Sequence, residues 1–303
     1  MADYEVTEIQ DPLNHFALFS DCDPVSFEGP VTKPTWVTTM DNEIAAIERN
    51  NTWELVELPK GQKSIGVKWV YKTKLNEKGK VDKFKARLVS KGYKQEFGID
   101  YTEVLTPIAR HDTIRMVIDL AAQNSWPSFQ LDVKSNFLHG DLKEQVFIDQ
   151  PPGYVKVGHK YKVYKLKKAL YGLKQAPRAW YGRIETYFSQ EGFHECPYEH
   201  TLFIKLGNDG KVLIVCLYVD DLIYTENDKV MFNMFKESMM NEFDIGDLGK
   251  MRYFLGIEVS QCACGIFISQ EKIHSRSLGQ VSNEKLQLCK YSNVCRNETC
   301  QKS

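Results

Sequence analysis

A chain of 303 residues, 43% of them apolar, is long enough to bury one large core or two to three subdomains. It has no signal peptide and no apolar run of about eighteen residues, which excludes a helical membrane span and points to a soluble intracellular protein. Its eight cysteines form no CxxC pair and have no His at zinc-ligand spacing, so they are expected to be free thiols rather than a zinc site.

The net charge of −1 hides an uneven distribution. Residues 1–58 hold twelve acids against Lys33 and Arg49, a net of −10. Residues 60–94 hold twelve Lys and Arg against Glu77 and Asp82, a net of +10, and residues 156–178 hold eight with no acid. Two basic blocks in a near-neutral chain suit either a polyanion-binding surface or a solvated basic face.

In chain order, residues 1–35 are acidic and weakly patterned, and are expected to be a poorly ordered extension. The spacing of Trp36, Met40, Ile44 and Ile47 predicts an amphipathic helix that stops near Asn50-Asn51. Trp53–Leu58, Val67–Leu75 and Val81–Val89 read as strands, the last two joined by a turn at Asn76–Gly79 into a hairpin rich in Lys and Arg. A ribbon with cations on one face suits contact with phosphates.

A second helix is predicted over 112–124, capped by Asp112 or Thr113, with Ile114, Val117, Ile118 and Ala121 as its buried stripe. Ser128–Asp132 reads as a strand with a turn after it, and Val146–Ile148 as a short strand. A helix begins after Pro177, with Trp180, Ile184, Tyr187 and Phe188 expected to pack in the core. Another spans 228–243 through Phe232, Phe235, Met239 and Phe243, and a strand over Tyr253–Val259 pairs with Gly265–Gln270.

The most informative stretch lies between those two helices. The apolar run Val212–Val219 reads as a buried strand that ends in Asp220 and Asp221, taken as the turn into a second strand. Adjacent carboxylates repel unless solvent or a cation takes up their charge. A solvated hairpin tip and a divalent-metal site both satisfy that demand. Asp132 has the same strand-end placement, where a cap or turn role is the alternative.

Seven stretches then carry a resemblance. Trp53-Glu-Leu-Val, Lys68-Trp-Val, Lys85-Ala-Arg-Leu-Val-Ser-Lys-Gly and Asp132-Val-Lys-Ser come first. Leu170-Tyr-Gly-Leu-Lys-Gln-Ala-Pro-Arg-Ala-Trp, Tyr218-Val-Asp-Asp and Tyr253-Phe-Leu-Gly-Ile-Glu-Val follow. In order and spacing they resemble the reverse transcriptase of copia-type (pseudoviral) LTR retrotransposons, over about residues 36–275.

The resemblance implies an α+β right-hand polymerase with fingers, a palm of antiparallel sheet backed by helices, and an incomplete thumb beginning after about residue 245. The 67–89 hairpin would belong to the fingers. Residues 276–303 would be a divergent, disordered tail, and the chain a fragment of a larger polyprotein. The implied activity is RNA-directed DNA polymerisation with an RNA template, a DNA primer, deoxynucleoside triphosphates and two Mg2+ ions, for which Mn2+ could substitute. Two divalent ions about 4 Å apart can activate the 3′-hydroxyl and neutralise the leaving pyrophosphate. Carboxylate oxygens without His or Cys suit magnesium.

By similarity, Asp132 and Asp220 would bridge the metals and Asp221 would complete the catalytic acids. Arg87, assisted by Lys83 or Lys85, would clamp the triphosphate, since a guanidinium can bind phosphate oxygens bidentately. Phe137 would block a ribose 2′-hydroxyl, and Tyr171 and Gly172 would form the nucleotide-pocket wall. Tyr218 and Val219 would sit beneath the primer end, with Phe254, Leu255 and Gly256 as a primer grip.

Three positions depart from the family pattern: Asn136 where Ala is usual, His139 where Asn is usual, and Glu226 where Gly is usual. The incomplete thumb and Asn136 leave room for a relic that binds primer–template but polymerises poorly or not at all. A metal-dependent nuclease is a weaker alternative, because no His or Lys general base accompanies the acids.

Overall fold

A computed structural model describes residues 23–24, 26–76, 80–262 and 265–270. The tail from 276, most of the acidic extension and the clustered Cys264, Cys289, Cys295 and Cys300 lie outside them. Within them, Cys196 and Cys216 are free thiols. No helix there is long and apolar enough to cross a membrane.

Helix α1 (Pro34–Arg49) starts two residues before Trp36, because Pro34 sits in the first turn, where a missing N–H costs nothing. Its stripe of Trp36, Met40 and Ile47 is buried, and Trp36 meets Tyr71 and Phe84 edge-on at 5.1 and 4.9 Å. Strands β1 (Trp53–Val56), β2 (Ser64–Ile65), β3 (Val67–Leu75) and β4 (Val81–Ser90) follow. In the β3–β4 ribbon the register Tyr71↔Ala86 and Trp69↔Leu88 places these side chains on the inner face. The opposite face carries Lys68, Lys72 and Lys74 of β3 with Lys83, Lys85 and Arg87 of β4. Of the expected turn, residues 77–79 lie outside the described set, but Asn76 N–H donates to the Lys80 carbonyl at 2.8 Å and closes the ribbon.

Helix α2 (His111–Gln123) buries the expected stripe, but not with the expected cap. The Thr113 hydroxyl donates to Glu199 at 2.8 Å and Asp112 lies in the first turn near Arg115, so neither side chain closes the helix end. Strand β5 (Ser128–Val133) leads through the short turn Asn136–His139 to β6 (Asp141–Ile148), β7 (Val163–Lys168) and α3 (Ala176–Gln190). Then come β8 (His194–Cys196), β9 (Glu199–Leu206), β10 (Val212–Tyr218), β11 (Asp221–Glu226) and α4 (Lys229–Glu242). Asp228 caps α4 by accepting from Met231 N–H at 2.8 Å. The chain closes with β12 (Ile245–Lys250), β13 (Tyr253–Phe254), β14 (Ile257–Cys262) and β15 (Gly265–Ser269).

Two sheets organise the molecule. A four-stranded sheet, β1-β7-β6-β2, shares a core with α1 and the ribbon. A six-stranded sheet, β12-β5-β11-β10-β9-β8, is antiparallel throughout. Leu213, Val215, Leu217, Leu222 and Tyr224 face α3 and α4, while Ile214, Cys216 and Ile223 face α2 and the β13–β15 hairpins. Cover on both faces explains why Val212–Leu217 is apolar without alternation.

The strand expected over 253–259 is divided. Leu255 and Gly256 have φ of 47° and 85°, a two-residue hairpin turn between β13 and β14. Glu226 ends β11 opposite Leu213, where burial pushes its pKa up.

Candidate active site

The three acids meet at one rim of the six-stranded sheet. β11 pairs with β5 so that Asp221 stands directly opposite Asp132, and register partners in an antiparallel ladder share a face. The turn is not the expected Asp220-Asp221 pair. Tyr218 pairs with Asp221, so the two-residue loop is Val219-Asp220 and Asp221 already belongs to the strand. Val219 enters this loop at φ 57°, which shifts the turn one residue back. The Asp220 carbonyl accepts from Val133 N–H at 2.8 Å, tying the loop to the end of β5.

The electrostatics are those of crowded acids near cations. Burial raises the pKa of Asp132, the neighbouring Asp220 raises it further, and Lys85, Lys74 and Lys134 oppose both. Burial also raises Asp221, aided by Asp220 and Asp132, while a 3.1 Å hydrogen bond from Gln130 Nε2 pulls the other way. Lys85 is pushed down, chiefly by burial and then by Arg87 and Lys74, with Asp132 and Glu43 pulling it up. The basic ribbon and the acid rim therefore lie within each other's field. As donors the acids suit a hard divalent ion, since they offer only carboxylate oxygens. Among the described residues, however, no three His, Cys, Asp or Glu side chains converge closely enough to hold a metal. The rim fits an ion in donor chemistry and backbone placement, and its side chains stay apart.

Beside the acids lies a wall built from three chain segments. The Arg87 guanidinium sits 4.4 Å above the Tyr171 ring, and Phe137 meets that ring edge-on at 5.1 Å. Phe137 is half-buried and packs against the cores of both sheets. Gly172 has φ 89°, and a Cβ there would lie 2.2 Å from the Ser90 carbonyl oxygen. Ser90 N–H donates to the Tyr171 carbonyl at 2.7 Å, so only glycine lets the 169–175 turn close against the end of β4. Asn136 is buried beneath Tyr171, its Nδ2 without a partner.

Tyr218 is half-buried and meets Phe254 edge-on at 6.2 Å, while Val219 is exposed at the tip. Phe254 is itself buried, and Leu255 and Gly256 form the hairpin turn beyond it. The structure thus groups Asp132, Asp220 and Asp221 at the rim, Arg87, Phe137, Tyr171 and Gly172 at the wall, and Tyr218 with Phe254 on the face toward α2.

Two supporting side chains escaped the sequence reading. Gln130, which holds Asp221, lies two residues before Asp132 and so on the same strand face, a signal the period of two could have given. Trp180, expected only to fill core, also donates its indole N–H to the Val219 carbonyl at 2.5 Å.

Strand-end acids on an antiparallel sheet, facing a basic ribbon, are the layout of a right-hand polymerase. The chain belongs to the family described as reverse transcriptase (RNA-dependent DNA polymerase), which its residues 50–290 match. It is 36% identical over 273 residues to the retrovirus-related Pol polyprotein from transposon TNT 1-94 of Nicotiana tabacum, covering 88% of this chain and 21% of that protein. It is 39% identical over 238 residues to the Pol polyprotein from transposon RE1 of Arabidopsis thaliana, covering 78% of this chain and 16% of that one. The chain therefore spans about a fifth or less of the length of these two polyproteins. Among solved structures it is similar to a foamy viral protease-reverse transcriptase in complex with double-stranded DNA, at 12% identity and a TM-score of 0.41, covering 81% of this chain and 37% of that one.

Proposed function

We propose that this chain is the polymerase segment of a copia-type retrotransposon and adds deoxynucleotides to a DNA primer on an RNA template. The observation that carries the reading is the pairing of Asp132 with Asp221 across the sheet and Asp220 at the adjoining turn, acids that lie 88 and 89 residues beyond Asp132 in the chain. The reaction joins the primer 3′-oxygen to the α-phosphorus of the incoming nucleotide and releases pyrophosphate.

Asp132, Asp220 and Asp221 would hold two Mg2+ or Mn2+ ions, which would supply activation of the 3′-hydroxyl and neutralise charge on the pyrophosphate. Lys85, within the field of Asp132, and Arg87, over the Tyr171 ring, would bind the triphosphate. Arg87 is held ready by its stacking on Tyr171, which keeps the planar guanidinium in place for bidentate contact. Phe137 and Tyr171 would line the sugar side of the nucleotide, and the Phe137 ring would exclude a 2′-hydroxyl. Tyr218, Val219 and the Phe254–Gly256 hairpin would seat the primer end.

A binding-only relic is the second reading, favoured by the unpaired Asn136 amide in the wall and by acid side chains that do not converge. Primer extension on an RNA template decides between the two. Wild type is expected to extend with Mg2+ or Mn2+, and Asp220→Asn to lose at least about a thousandfold in rate while still shifting the duplex in a gel. A wild type that shifts the duplex but extends with neither ion leaves the second reading standing.

A further inference from the structure

We infer that Trp180 is a positioning residue of this site: its indole N–H fixes the peptide plane from which the Asp220 carboxylate is aimed. The inference rests on the polymerase reading and adds to it a residue behind the rim.

Val219 is β-branched and holds φ 57°, a region such side chains rarely occupy. The residue is 38% exposed, so packing around it does not impose the conformation. The backbone does. The Val219 carbonyl belongs to the peptide plane preceding Asp220, and it accepts from Trp180 Nε1 at 2.5 Å. The Asp220 carbonyl belongs to the following plane, and it accepts from Val133 N–H at 2.8 Å. With both planes pinned, the backbone dihedrals of Asp220 and the direction of its Cα–Cβ bond are set before any ligand arrives.

The donor cannot easily turn away. Trp180 is 2% exposed, and its ring lies 5.5 Å from Phe243 and 6.2 Å from His139, which approach from separate elements. A buried indole N–H has no second role, and leaving it unpaired is costly, so ring and carbonyl hold each other. The Trp180 ring also fills core, and only the N–H contact singles it out from its neighbours on α3.

The test separates the hydrogen bond from the packing. Trp180→Phe keeps most of the ring and removes the donor. Tyr187→Phe serves as control, removing a 2.7 Å hydrogen bond to Ser238 from the same helix, away from the turn. Hydrogen exchange of the peptide 217–222 is expected to quicken about tenfold in Trp180→Phe and to stay at the wild-type rate in Tyr187→Phe. Mn2+ affinity and kcat for extension should fall about tenfold in Trp180→Phe alone, with KM for the nucleotide changed less than about twofold. In a Val219→Gly background, where positive φ carries no side-chain strain, the same substitution should cost less than about threefold.

Unchanged exchange at 217–222, or an equal kcat loss in both single variants, overturns the inference. A wild type that neither binds Mn2+ nor extends a primer overturns the polymerase reading instead, and the exchange comparison still decides the role of Trp180.

Discussion

Asn136 is where the wall of the site is least well satisfied. The residue is 1% exposed, its Nδ2 has no partner, and its Oδ1 receives the Tyr171 hydroxyl only at 3.5 Å, beyond ordinary hydrogen-bond length. A buried amide held so loosely keeps most of its desolvation penalty, which is about 1–3 kcal/mol. Asn136→Ala removes that penalty and leaves a small void. The expected outcome is a variant at least as stable as wild type and up to about 1 kcal/mol more stable, read from urea melts. A loss greater than about 1 kcal/mol would mean that the amide is well paired in solution. The sequence singled this residue out as a departure, because a motif fixes which residue type is usual. It could not supply the neighbour, since Tyr171 approaches from 35 positions away. The acid turn was legible in the same partial way: the residues were evident, and their register came only with the pairing of Tyr218 and Asp221.

At the level of elements, the turn after β5 carries a pH-sensitive residue. Burial, then the nearby Lys168 and Arg183, pushes the His139 pKa down from 6.5 to about 4. Its Nε2 has no partner, so the neutral ring is tolerated and the charged ring is not. Between pH 6.5 and about 4 the unfolded chain binds the proton that the folded chain refuses. Stability is therefore unaffected above 6.5 and falls as pH drops through that window, by about 1–2 kcal/mol after allowing for partial exposure. His139→Asn should remove that share of the acid loss. Urea melts at pH 5 and 7.5 measure it, and an identical pH slope in the variant would exclude the residue as the source. The helices α1, α2, α3 and α4 were readable because a stripe of period 3.6 survives in the local sequence. β7 was hidden because it alternates lysines with apolar residues inside a basic block, and β12 because Ile-Gly-Asp-Leu-Gly-Lys has little intrinsic strand preference. β12 exists because β5 offers it an edge, a tertiary cause no local window contains.

Across the whole molecule, the two basic blocks prove to be different objects. In the second, Lys156 pairs with Glu48, Lys165 and Lys167 with Glu54, and Arg178 with Glu103, so acids from α1, β1 and a loop absorb much of its charge. In the first, Lys68, Lys72, Lys74, Lys83, Lys85 and Arg87 share one face, and none of them forms an ion pair among the described residues. Composition alone left a polyanion surface and a solvated face equally open. Lys85 and Lys74 of that unpaired face act on Asp132 at the acid rim, a proximity not visible in the sequence. Cations without an ion-pair partner are the ones whose phosphate contacts release counterions. Each Lys→Ala on the ribbon face, at Lys72 or Lys74 for instance, should reduce the slope of log Kobs against log salt for primer–template binding by about 0.7–0.9, whatever the template sequence. Lys167→Ala, which removes a lysine already paired at 3.0 Å, should leave the slope unchanged. Fluorescence anisotropy titrations from about 50 to 200 mM salt resolve a difference of that size. Equal slope changes for Lys72 and Lys167 would mean that nucleic acid wraps both blocks, and that the ion pairs of the second open on binding.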